Sequence, residues 1–164
     1  MTAEQRRDFW INYAIPAFNN ANIFLPLTDN DFRTGDPHYL GLKFNDAFYR
    51  DLRVTKVKYE LGLNIGNDNA YVDIIFNSNE IDNFALRERF LTLGQRYIQM
   101  NGLPGNLEKE ERSGDNTSCR LKYGVEVRIR PNREAYDEVC NSLIDCAFDV
   151  LLMCKAINYQ LEEN

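Results

Sequence analysis

The sequence predicts an α+β fold: a mainly antiparallel sheet of about five strands, with an N-terminal helix, a middle helix and a long C-terminal helix packed on one face. Three observations carry this. Two stretches, "KVKYELGLNI" (56–65) and "CRLKYGVEVRIRP" (119–131), alternate apolar and polar residues with period two, as half-buried strands do. Helix-period segments stand before, between and after the strand segments, an order that suits a sheet with helices gathered on one side. The chain has 164 residues, 44% of them hydrophobic and 27% charged, which fits one domain spanning 1–164 with a core of its own.

Each element follows in turn. "AEQRRDFWINYA" (3–14) reads as a short helix with Phe9, Trp10, Tyr13 and Ala14 on one side, ended or bent by Pro16. Residues 16–38, rich in Asn, Asp, Gly and Pro, are expected to be irregular. "HYLGLKF" (38–44) is a candidate short strand. In 56–65, Val57, Tyr59, Leu61, Leu63 and Ile65 share a face; "GNDN" (66–69) is a turn; "AYVDIIF" (70–76) returns as the second arm of a hairpin. A helix capped by Ser78 or Asn79 runs to about Met100 and stops at "NGLPG" (101–105). "LEKEER" (107–112) is expected as a charged edge strand. The strand from Cys119 ends at Pro131 and Asn132. A final helix over about 133–161 is apolar almost all round between 143 and 154. Such a helix needs cover on more than one side. Part is expected from the N-terminal helix. The rest is expected from a second copy of the chain, meeting it through Phe148, Leu151 and Leu152 as a homodimer.

Charge narrows the function. With 25 acidic and 19 basic side chains, net charge -6, the chain is unlike a general polyanion binder. No stretch reaches the roughly 18 apolar residues of a membrane helix, and "MTAEQRRDFW" is not a signal peptide; the expectation is a cytoplasmic protein with no membrane partner. Cys119, Cys140, Cys146 and Cys154 form no CxxC pair, and His38 is the sole histidine. Neither a disulfide nor a metal site is expected, and the thiols read as small buried hydrophobes.

Several chemistries lack their residues. A restriction-type nuclease pairs an acid two positions before a lysine on a strand. The residues two before Lys43, Lys56, Lys58, Lys109, Lys122 and Lys155 are Gly41, Val54, Lys56, Leu107, Arg120 and Met153, none of them acidic. "GLNIGN" and "GLPGN" lack the phosphate-loop continuation and read as turns. His38 lies in a loop with no sign of an orienting group. No catalytic residue and no cofactor is assigned, so the chain is expected not to be an enzyme.

What remains is the polar sheet face. Lys56, Lys58, Arg120, Lys122, Arg128 and Arg130 fall on it, with Glu60, Asp73 and Glu126 between them. The plain reading is a solvated face laced with cross-strand ion pairs, each worth ~0.2–1 kcal/mol, in which Asp73 sits near Lys58 or Arg128. The functional reading is recognition of an anionic partner: a protein, a nucleotide or a nucleic acid. Arginine suits bidentate anion contacts, while Tyr71 is the one aromatic clearly placed for stacking. Two further readings stay open. One is a metal-dependent nuclease or other hydrolase with a noncontiguous acidic site at Asp73, Glu60 and Glu126. The other is an oligomeric structural protein built on the last helix.

The order of elements also resembles a bacterial family of a domain of unknown function, found alone or at the C-terminus of larger proteins in restriction-type and other defence contexts. Four places carry the resemblance: Phe9-Trp10 on an early helix, the hairpin "KVKYELGLNIGNDNAYVDIIF", the later strand "SCRLKYGVEV" and the long helical region from Asn132. The family has no established catalytic residues, so the resemblance implies a defence- or mobile-element-associated module and transfers no site.

Overall fold

A computed structural model describes residues 2–22, 26–28, 39–42, 59–65, 69–77, 82–110, 119–127 and 132–162. The N-terminal segment forms α1 (Ala3–Phe9), a π-helical turn (Trp10–Ala14) and α2 (Ile15–Ala21). A capping box starts it: Gln5 N–H donates to the Thr2 hydroxyl and Thr2 N–H to the Gln5 side chain. Pro16 does not end the path, which continues to Ala21, so residues 16–21, expected to be irregular, are helical. Pro16 removes one backbone donor, and the wide turn immediately before it, closed by Ile15 N–H on Trp10 C=O, takes up the mismatch. Asn22 ends α2 at φ 55, a left-handed conformation that Asn tolerates. Asn19 then holds Leu27 by both backbone groups, at 2.8 and 3.1 Å.

The sheet contains β1 (Tyr39–Leu42), β2 (Tyr59–Ile65), β3 (Asn69–Phe76), β4 (Asn106–Glu110) and β5 (Cys119–Glu126). Four strands have five residues or more; β1, on one edge, has four. The order is β1-β2-β3-β5-β4, and every pairing is antiparallel. The expected hairpin is present as β2–β3, with Tyr59 opposite Phe76 and Ile65 opposite Ala70. Helix α3 (Asn83–Asn101) carries the chain past β5 to β4 on the far edge. Its N-cap is Asp82, which accepts from Phe84 and Ala85 N–H; the expected caps Ser78 and Asn79 lie outside the described residues. Gly102, at φ 62, ends it as expected. The last helix, α4, spans Arg133–Glu162.

The inner sheet face and the helices enclose one core. Leu61, Val72, Ile74, Leu121 and Tyr123 are buried there with Phe90 of α3 and Val139, Leu143, Ala147 and Val150 of α4. Of the other residues expected inward, Val127 is buried and Val125 partly so; the side chains of Tyr59 and Leu63 lie outside the described set. Close approach between layers needs Gly94, where a Cβ would stand 2.5 Å from Leu107 Cδ2. The N-terminal segment lies on α4: Phe9 and Tyr13 meet the Tyr136 ring edge-on at 5.3 and 4.9 Å. All four cysteines are free and buried. Among the described residues, no helix is long and apolar enough to cross a membrane.

One buried polar knot ties the layers. Tyr123 Oη donates to Asp149 Oδ2 of α4 at 3.0 Å and accepts Gly105 N–H at 3.1 Å. Position 105 must be glycine here, since a Cβ would fall 2.3 Å from the Tyr123 ring.

Candidate functional site

The register lays out the opposite face in rows. Glu60, Ile75, Arg120 and Glu110 form one; Gly41, Gly62, Asp73, Lys122 and Glu108 the next; Tyr39, Asn64, Tyr71, Gly124 and Asn106 the third. Edge strand β4 thus adds Glu108 and Glu110 to a face on which the sequence suggested an excess of cations. Among the residues whose side chains are described it carries Arg120 and Lys122 against Asp73, Glu108, Glu110 and Glu126, and Glu60 shares the face by register. Lys56, Lys58, Arg128, Arg130 and His38 lie outside the described residues. Lys109, of the other parity, reaches Glu88 of α3 at 2.5 Å.

Asp73 departs most from expectation. Its side chain is fully buried, not solvated, and the neighbours expected for it, Lys58 and Arg128, lie outside the described residues. Ile75, two positions along the same face, is buried too, so the centre of the outer face is shielded from water. Arg120 Nη1 stands 3.5 Å from Asp73 Oδ2, longer than the about 2.7–2.9 Å of a strong charge-assisted bond. Burial pushes the Asp73 carboxyl up to about 8; hydrogen bonding with Glu110 and the Glu110 charge push the same way, and Arg120 opposes them. The direction favours the neutral carboxyl over a buried carboxylate at Asp73. Burial also raises the Tyr71 phenol, helped by Asp73 and Glu110, so this ring stays neutral.

Beside this cluster the surface opens into a hollow of about 280 Å³, lined among others by Tyr71, Asn106, Glu108, Lys122, Gly124 and Glu126. Gly124 is its bare floor. A Cβ there would meet Tyr71 Cβ at 2.5 Å and Ala70 O at 2.6 Å, so glycine is what lets the aromatic wall stand against β5. Lys122 Nζ lies 5.5 Å from the Tyr71 ring centroid and 3.7 Å from Glu108 Oε2. The hollow offers a π face, a cation and two carboxylates within one small volume.

The acidic constellation Asp73, Glu60 and Glu126 is not gathered. Asp73 faces Lys122 across the strands, and Glu126 is four residues further along β5, about 13 Å away at strand rise. Glu60 is one row from Asp73 in register; among the described side chains the carboxylate that acts on Asp73 is Glu110, which the sequence pattern did not single out. Among the described residues, no group of three or more His, Cys, Asp or Glu is placed to hold a metal ion. Comparison with protein-family models, with curated proteins and with solved structures gives no match.

Of the three residues expected at a self-association surface, Phe148 and Leu152 are exposed on α4. Leu151 is not: it is buried in the core, because the N-terminal segment and the sheet together wrap more of this helix than one sheet face would.

Proposed function

We propose that this chain is a non-catalytic recognition module that receives a segment of a partner protein on the outer face of β3, β5 and β4. The hollow over Gly124 carries the reading, because a π wall, Lys122, Glu108 and Glu126 converge on it. A peptide can present an anionic side chain to Lys122 and a donor or cation to the carboxylates. A phosphodiester chain would meet Glu108 and Glu126 as like charges, which disfavours a nucleic acid. The expected recognition of an anionic partner thus narrows to one acidic side chain at Lys122. A broader anionic surface would have to be built from Lys56, Lys58, Arg128 and Arg130. The four free thiols suit a reducing cytoplasm, and the family resemblance supports a defence-associated setting.

Selection from a displayed random-peptide library tests the proposal. Peptides should be enriched on the wild type, and binding should fall about tenfold or more in Tyr71→Ala and Lys122→Glu, in line with the loss of a central aromatic or charged contact. Undiminished binding by both variants would overturn it. So would turnover of nucleic acid with Mg²⁺ or Mn²⁺, which would favour the hydrolase reading.

A further inference from the structure

We infer that α4 pairs antiparallel with α4 of a second copy of this chain, about a two-fold axis level with Val150. The exposed side of α4 carries Asn141, Asp145, Phe148, Leu152 and Tyr159, with the half-buried Lys155 in the same row, spaced alternately by four and three residues. That spacing keeps them on one seam, about 80° wide on a helix of 3.6 residues per turn. Phe148 is 44% exposed, Leu152 41% and Tyr159 65%. These are three of the five large exposed hydrophobics among the described residues, which makes the seam the main apolar surface of the helix.

The occupant follows from the order of residues. Phe148 and Leu152 each stand two positions from Val150, on opposite sides; Asp145 and Lys155 each stand five positions from it. In an antiparallel pair centred there, Phe148 of one copy meets Leu152 of the other, twice. Asp145 meets Lys155, twice, at the flanks of the apolar patch. A parallel pair would set Asp145 against Asp145 and Lys155 against Lys155. The antiparallel arrangement also opposes the two helix dipoles. The seam thus complements itself in shape and charge, as an isologous contact requires. It is short, and interfaces at the low end of area are weak, so the dimer forms at high protein concentration.

Sedimentation of the full chain from about 10 μM to about 1 mM, the range of weak association, tests this. The mass should rise from 19.1 kDa towards twice that value. Phe148→Ala with Leu152→Ala should stay monomeric and keep the wild-type circular dichroism spectrum. Asp145→Lys and Lys155→Asp should each weaken association about tenfold, since each creates two like-charge contacts, and the two together should restore it. A monomer at about 1 mM would overturn the inference. A dimer indifferent to the Phe148 and Leu152 change, or a charge swap that fails to restore association, would do so as well. The surface is separate from the sheet hollow, so the peptide selection and this measurement can fail independently.

Discussion

Tyr123 and Asp73 are both fully buried polar side chains near the middle of the same sheet, one on each face. Tyr123 has its hydroxyl matched: one donor bond to Asp149 and one acceptor bond from Gly105. Asp73 has a second carboxyl and an arginine at 3.5 Å. Matched hydrogen bonds fix a structure, whereas a buried carboxyl held above its ordinary range opposes folding near neutral pH. The inner face reads as the part that builds the domain. The outer face bears the cost of a buried carboxyl with no matched hydrogen-bond set.

Gly105→Ala should destabilise by about 2–3 kcal/mol through overpacking against the Tyr123 ring, measured by urea unfolding; a change below about 0.5 kcal/mol, the scale of neutral surface substitutions, would mean the ring yields easily. Tyr123→Phe comes next, at about 1–2 kcal/mol for two orphaned partners, one of them partly solvated.

The Asp73 carboxyl makes stability depend on pH. Its folded value, about 8, lies above the ordinary carboxylate value, so the folded state binds the extra proton. Its contribution is fully present below about pH 4 and is lost as pH rises towards 8. Asp73→Asn should remove that slope, so the wild-type melting temperature should fall relative to the variant across this window. Parallel pH curves would refute the buried, protonated carboxyl. The smallest stability effect is expected at Lys122→Ala, within about 0.5 kcal/mol because its ion pair is partly exposed, even though the same change should weaken peptide binding.

The inner face was legible because each strand states its own parity. Leu61, Val72, Ile74 and Tyr123 alternate with polar residues whichever neighbours they acquire. The outer face depends on strand order, which no single segment encodes. "LEKEER" carries charge on both parities, so its pattern does not say that Glu108 and Glu110 join Lys122 and Arg120 while Lys109 turns towards Glu88. An Asp in an alternating polar position reads as solvated. The available signals for Asp73 were Ile75, an apolar residue on the polar parity, and the glycine at 62 in the facing strand. Pro16 misled for the opposite reason: a local breaker gave way to packing, since Phe9, Trp10 and Phe18 are all buried along one helical path.

Recognition at the outer face is tested most directly by two-dimensional NMR of the chain titrated with a selected peptide. Shift changes should centre on Tyr71, Lys122, Gly124 and Glu126 and leave Val139, Leu143 and Val150 unmoved. Changes confined to α4, with the Gly124 amide unchanged at saturation, would contradict it.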